Sequence, residues 1–161
     1  MTALPALWTS LIAEQATLDN VVNGIKTANW VHFACHGVQN GVEPDKSAIL
    51  LAGSDRLTLE TLACLQIPHG DLAFLSACQT AKGDAELPDE SVHLSARMLV
   101  SGFKGVIATM WSVYDQIAPE IARDIYQYLK DSDMDPNEAA RALDLAVEKE
   151  RKKNSTRDDN D

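Results

Sequence analysis

Two short apolar stretches, each followed directly by a chemically reactive residue, decide the fold. They are Trp30–Cys35 (WVHFAC), which leads into His36-Gly37, and Leu72–Ala77 (LAFLSA), which leads into Cys78-Gln79. A third stretch of the same kind is Gly105–Met110 (GVIATM). Continuous apolar runs of this length are typical of strands that are buried on both faces. Because helical segments separate the three runs, the sequence predicts an α/β fold with a mostly parallel sheet.

The segments around these runs carry helical spacing or turn-forming residues. Apolar spacing predicts helices over 17–28, Glu90–Ser101 and Gln116–Lys130, and an N-cap at Asp135 predicts the start of a last helix. A small hairpin is predicted from Ala48–Leu51 and Arg56–Leu57, with Thr58 placed to cap a short helix after it. Gly102 is placed to end the helix over 90–101.

Length and composition indicate one globular domain. Of the 161 residues, 45% are hydrophobic and 24% charged, which is near the average of a globular protein. The 14 basic and 24 acidic residues give a net charge of −10, which argues against nucleic acid as a partner. Without a long apolar run or the basic start of a secretory signal, the protein is expected to be cytoplasmic, with no membrane partner. The apolar pattern predicts a domain over 1–153 and a disordered polar tail over 154–161.

The two reactive residues are predicted to meet at one edge of the sheet. His36 and Cys78 each follow a strand, and sites in open parallel sheets form at the carboxyl ends of the strands. A thiolate is a nucleophile, and a nearby imidazole can take the thiol proton and later protonate a leaving amine. Gly37 lacks a Cβ, so its N–H and that of Cys78 are placed to stabilise an oxyanion. The sequence therefore predicts a His/Cys dyad for acyl transfer.

Other interpretations of the same residues are weaker. A cysteine in an apolar strand is more often a core residue than a catalyst. A zinc site would use His32, Cys35, His36 and Cys78, but strand alternation sends the first three to opposite faces, and the paired cysteine spacing of zinc sites is absent. We therefore expect no metal, with Cys35 as a core thiol and His32 as a packed or hydrogen-bonded neighbour.

The remaining candidates have no partner at motif spacing. Cys64, His69 and His93 are expected to be structural or surface residues. The acidic loop Asp84–Glu90 follows Cys78, and it is either a solvated loop or a segment that attracts a basic part of a substrate.

Four blocks of the sequence carry a resemblance to a known family. VHFACHG, SAILL, DLAFLSACQT and GVIATMWSVYD, in this order, are similar to the CHAT domain, a caspase-like family often attached to tetratricopeptide repeats. The resemblance runs from about Thr17 to about Ala146. It implies a three-layer caspase-like α/β fold, with a mostly parallel sheet between helices. The family normally has more sheet before this region and an aromatic-rich strand after it, so the domain is expected to be truncated at both ends.

The resemblance also implies roles for individual residues. His36 corresponds to the general base, Cys78 to the nucleophile and Gly37 to the oxyanion donor. Asp115 matches a family acid close to the substrate, although an acid in the first turn of the following helix would look the same. Asp84 is the second residue expected to face the substrate, because it lies in the acidic loop.

Together these features predict a cysteine endopeptidase that cuts protein or peptide substrates through a covalent thioester, without metal or cofactor. A protein that contains tetratricopeptide repeats is the partner that the resemblance implies. Two alternatives stay open. One is a catalytically inactive signalling or scaffold module, and the other is a thiol-dependent hydrolase or transferase that acts on a small molecule, because the dyad marks acyl transfer rather than peptides.

Overall fold

The computed structural model describes residues 8–38, 40, 42–76, 78–79, 90–108 and 117–158. The α-helices are α1 Leu18–Thr27, α2 Leu59–Ala63, α3 Glu90–Ser101, α4 Ala118–Asp131 and α5 Ala139–Asp158. The strands are β1 Trp30–Phe33, β2 His36–Val38, β3 Ala48–Leu50, β4 Arg56–Thr58, β5 Leu72–Leu75, β6 Cys78–Gln79 and β7 Gly105–Ala108. Short 3₁₀ turns lie at Ala13–Gln15, Pro44–Lys46 and Pro136–Glu138. All the helices and strands predicted within these ranges are present.

The three apolar runs form one parallel sheet in the order β1-β5-β7. Trp30 pairs with Leu72, and Leu72 pairs in turn with Gly105. All four residues of β5 are buried, as expected for a central strand covered on both faces. The prediction that the first two runs are adjacent and parallel is therefore confirmed.

A second sheet follows the carboxyl ends of β1 and β5, in the order β4-β3-β2-β6. The antiparallel pair β3 and β4 is the predicted hairpin. Between them and the cysteine strand lies β2, which pairs antiparallel with β3 and parallel with β6. The first predicted run thus ends earlier than expected, at Phe33 rather than Cys35, because the chain passes into this second sheet.

Helices cover both faces of the parallel sheet and complete a three-layer α/β architecture. On one face α1, α2 and α3 pack through Val21, Ile25, Leu62 and Met98 against Phe33, Ala73 and Leu75. On the other face α4 and α5 pack through Ile125, Leu129, Ala142 and Ala146 against Leu72, Phe74 and Ile107. Burial of these side chains on both sides supplies most of the favourable free energy of the fold.

Side-chain caps begin three of the helical segments, and those at Thr58 and Asp135 are the ones predicted from the sequence. Thr17 accepts a hydrogen bond from Asn20 N at 3.3 Å, and Thr58 accepts one from Thr61 N at 3.0 Å. The carboxylate of Asp135 accepts from Asn137 N at 2.9 Å and starts the 3₁₀ turn that leads into α5. Side-chain oxygens satisfy backbone N–H groups that have no partner within a helix.

The last helix is longer than the apolar pattern predicts. α5 continues to Asp158, into the segment 154–161 that the sequence predicts to be a polar tail. Glutamate, lysine and arginine over 148–153 are strong helix formers, ion pairs stabilise this part of the helix, and the last five residues continue it. Lys152 Nζ lies 3.3 Å from a carboxylate oxygen of Glu148, and Lys149 Nζ lies 2.7 Å from one of Asp124 in α4. No helix in the described part of the chain is long and apolar enough to cross a membrane.

Gly102 ends α3, as the sequence predicts. Its φ of +122° lies in a region that side-chain-bearing residues rarely adopt. A Cβ atom built at this position would lie 2.4 Å from the carbonyl oxygen of Ile67. Both the backbone angle and the close approach therefore require glycine here.

Candidate active site

His36 and Cys78 are register partners. Their Cα atoms are paired in the parallel ladder of β2 and β6, and the next pair is Gly37 with Gln79. Partners in this ladder differ by 42 in residue number (36 and 78), as they do in the ladder of β1 and β5 (30 and 72). The register therefore continues without a slip from the buried sheet into the short ladder beyond it, and the two residues predicted to form a dyad lie opposite each other. The imidazole of His36 is exposed.

Neither the packing of the described residues nor the backbone conformation requires the glycine beside His36. A Cβ atom at Gly37 would meet only the carbonyl oxygen of Ala48, at an ordinary contact distance of 3.9 Å. The φ of Gly37 is not among the positive values in the chain. Among the described neighbours, the backbone leaves room for alanine at this position.

The loop after β2 is held by side-chain hydrogen bonds and by ion pairs, one of which joins Lys46 to Glu43 at 2.6 Å. Asn40 Oδ1 accepts from Val42 N at 3.1 Å and from Glu43 N at 2.9 Å, and Ser47 Oγ accepts from Asn40 N at 3.0 Å. Asp45 then forms an ion pair with Arg97 of α3 at 2.7 Å. This pair joins the loop that follows the histidine to the helix that follows the cysteine.

His32 lies at the end of the buried sheet, on the strand that leads to His36. Its Nε2 lies 2.6 Å from Ser76 Oγ, and its ring stacks on that of Phe74 with 4.5 Å between centroids and 6° between planes. The ring centroid of Tyr126 lies 5.6 Å away. The prediction that His32 is a packed or hydrogen-bonded neighbour is confirmed. Sequence reasoning did not single out Ser76, because only the register reveals that it faces His32.

Burial shifts the acid–base behaviour of these side chains. Desolvation lowers the pKa of His32 below 6.5 and favours the neutral imidazole. It also raises the pKa of Tyr126 to about 12. For His32 the folded state binds a proton less readily than the unfolded chain does, so the free energy of unfolding is highest above pH 6.5 and falls as the pH drops through the lowered pKa.

We expect His32→Gln to flatten this part of the pH dependence. The variant has no titratable group at position 32, so its free energy of unfolding should fall less than that of the wild type between pH values above and below 6.5. Urea unfolding at both pH values measures the difference. His69→Gln serves as the control because His69 is an exposed histidine that is distant in sequence from His32. Equal slopes for His32→Gln and wild type would contradict the expectation.

Cys35, Cys64 and His69 have the places expected of core or surface residues. Cys35 is half-buried against the core, and burial raises the pKa of its thiol, which disfavours the reactive thiolate. Cys64 and His69 are exposed, and His93 lies in α3. Among the side chains that the structure describes, no group of three histidine, cysteine, aspartate or glutamate residues could hold a metal ion.

The two predicted substrate-facing acids, Asp84 and Asp115, lie outside the described residues, as does most of the acidic loop. Their roles stay predictions.

A parallel sheet between two layers of helices, with a histidine and a cysteine in register beyond the ends of adjacent strands, defines an α/β protein of the caspase-like kind. The family model described as CHAT domain matches residues 3–160. The chain belongs to this family, which is caspase-like and related to peptidases. No curated protein matches the chain.

Proposed function

We propose that the protein is a cysteine endopeptidase of caspase-like type, with Cys78 as nucleophile and His36 as general base. The observation that carries the proposal is the pairing of these two residues in the ladder of β2 and β6. Register partners on neighbouring parallel strands lie side by side, so the backbone brings the two residues near enough for their side chains to reach each other. Family membership supports the same assignment.

The proposed reaction has two halves. The thiol of Cys78 gives its proton to His36, and the sulfur attacks the carbonyl carbon of a peptide bond. The tetrahedral intermediate collapses, the C–N bond breaks, and the leaving amine takes the proton from His36. Water then attacks the thioester, loses a proton to His36 and releases the carboxyl product and the free thiol. Every step uses groups of the protein and water, so the mechanism needs no metal or cofactor.

The proposed partners follow from this chemistry. A protein or peptide is the substrate, and a protein with tetratricopeptide repeats is the partner that would present it. The exposed position of His36 supports access by a chain segment from solvent.

Covalent labelling tests the proposal. A peptide that carries an acyloxymethyl ketone and the small thiol reagent iodoacetamide are each added to the protein, and mass spectrometry identifies the labelled cysteine. The exposed Cys64 is an internal control for general thiol reactivity. We expect the peptide reagent to label Cys78 far faster than Cys64, and His36→Gln to abolish that preference. Equal labelling of both thiols would favour the inactive scaffold module, and a preference of Cys78 for the small reagent alone would favour a small-molecule transferase.

Gly37→Ala should separate activity from stability. The structure has room for the added methyl group, and alanine in a strand is better tolerated than glycine by about 0.5–1 kcal/mol, so the melting temperature should not fall. If the Gly37 N–H stabilises the oxyanion, a methyl group beside it obstructs the substrate, and kcat should fall by about tenfold to a hundredfold. Peptide cleavage and thermal melting measure the two effects. Unchanged kcat would remove Gly37 from the proposed mechanism.

Charge should set the substrate preference. Asp84 in the acidic loop and Asp115 after the third apolar run would give the site a negative potential, which favours lysine or arginine near the cleaved bond. A peptide library should therefore show cleavage next to basic residues, and Asp115→Asn should weaken that preference. Cleavage after aspartate or glutamate, or no response to Asp115→Asn, would show that the expectation is wrong.

A further inference from the structure

A side-chain bridge joins the two strands immediately before the proposed catalytic residues. His32 Nε2 lies 2.6 Å from Ser76 Oγ, and Ser76 Oγ lies 3.4 Å from the carbonyl oxygen of Phe33. When the imidazole carries its proton on Nε2, the bonds run in one direction, from His32 to the serine hydroxyl and from the hydroxyl to the carbonyl. The bridge therefore begins on β1, crosses to the segment after β5 and returns to the end of β1.

The bridge stands where the regular ladder is interrupted. The pairs of β1 and β5 end at Phe33 and Leu75, and the pairs of β2 and β6 begin at His36 and Cys78. In the gap, Ser76 N donates to Phe33 O at 3.0 Å. Both strands nevertheless keep the offset of 42 residues across this gap. Because a slip of one residue would exchange the two faces of a strand, something at the junction must hold the register.

The ring of His32 is itself fixed. It stacks on Phe74, its register partner on β5, with nearly parallel planes. Tyr126 of α4 approaches the same pair of rings, with centroids 5.6 Å from His32 and 6.0 Å from Phe74. Aromatic contacts of this kind restrict the orientation of a side chain, and Nε2 of this exposed residue faces Ser76.

We propose that His32 and Ser76 are a positioning pair, which fixes the separation of the strand ends that carry His36 and Cys78. The inference rests on the proposed function, and it assigns neither residue a contact with substrate. A nucleophile and a base that are displaced by about 1 Å lose up to about a hundredfold in rate. Among the described residues the ladder of β2 and β6 has two register pairs, so a fixed junction adds a constraint on this separation.

The test compares Ser76→Ala with two control variants, Ser76→Thr and Ser101→Ala. Ser76→Thr keeps the hydroxyl. Ser101→Ala removes the hydroxyl of another serine, which is buried and donates to Met98 O at 2.8 Å in α3, away from the junction. For each protein we would measure kcat and KM for a cleaved peptide, the pH profile of Cys78 alkylation, and amide hydrogen exchange in β2 and β6.

We expect Ser76→Ala to lower kcat by about tenfold or more with KM within about twofold, because positioning acts on the chemical step. The pH midpoint of Cys78 alkylation should move toward that of a free cysteine, and amides of β2 and β6 should exchange faster. Ser76→Thr keeps the hydroxyl, so its kcat, alkylation midpoint and amide exchange should be close to those of the wild type. Ser101→Ala should also leave these three quantities unchanged. A general loss of stability would instead affect Ser101→Ala as well.

The outcomes separate this inference from the proposed function. If Cys78 of the wild type already titrates like a free cysteine, the dyad is wrong, and hydrogen exchange in β2 and β6 alone decides whether the bridge holds the strands. In the other case, the wild type shows a pH midpoint of Cys78 alkylation that differs from that of a free cysteine. If Ser76→Ala then has the same kcat, alkylation profile and amide exchange as the wild type, His32 and Ser76 do not position the dyad.

Discussion

His36→Gln and Cys78→Ala are each expected to lower kcat/KM for a cleaved peptide by at least about a thousandfold, because each removes a group that takes part in every step of the reaction. The double variant should be no slower than the worse of the two single variants. A nucleophile and its base act as a unit, so the second loss costs little once the first has occurred. Steady-state cleavage of a fluorogenic peptide measures all three rates.

Substitutions of another histidine and another cysteine control for effects that are not specific to His36 and Cys78. His69→Gln changes an exposed histidine, and Cys64→Ser changes an exposed thiol, so neither should alter the rate by more than about twofold. Circular dichroism should show folded protein in every case. Retention of more than about a tenth of the wild-type activity in either His36→Gln or Cys78→Ala would exclude the dyad as the catalytic group.

Gly102→Ala is expected to have the largest effect on stability. The methyl group would lie 2.4 Å from Ile67 O, and the φ of +122° is strained for any residue with a Cβ. We expect the free energy of unfolding to fall by about 3 kcal/mol or more, and the melting temperature by about 10 °C. Urea and thermal unfolding measure both quantities.

Gly24→Ala is the matched control for this substitution. Gly24 lies inside α1, and a Cβ atom there would meet nothing within 4 Å. Alanine is the better helix former, so the same chemical change should raise the free energy of unfolding by about 0.5–1 kcal/mol. If Gly102→Ala were as stable as Gly24→Ala, the tight turn at the end of α3 would not require glycine.

The sequence predicts correctly those parts of the fold that follow from a local pattern, namely the buried strands and the starts of helices. Three apolar runs of similar length had to become neighbouring buried strands, and capping residues such as Thr58 fixed where helices begin. The strand β2 was not predicted, because its three residues, His36 to Val38, have no periodicity of their own. They become a strand only through pairing with β3 and β6.

The candidate site also has a part that the sequence predicts and a part that it does not. The pairing of His36 with Cys78 could be predicted because each follows an apolar run, and parallel strands end at one edge. The contact of His32 with Ser76 could not, since it depends on a register that only the folded sheet defines. Asp84 and Asp115 lie on segments without a pattern that would place them, and their contribution stays a prediction.

The separation of 42 residues between the register partners also bears on how the protein is made. The hairpin of β3 and β4 closes over a few residues, whereas the pairing of β2 with β6 must close a far longer loop, at a greater cost in chain entropy. Contacts between residues distant in sequence tend to limit the rate of folding. A chain emerging from the ribosome therefore displays its histidine long before its cysteine, and the pair exists only after the whole crossover has been synthesised and folded back. Assembly of the reactive pair is in this way coupled to completion of the sheet.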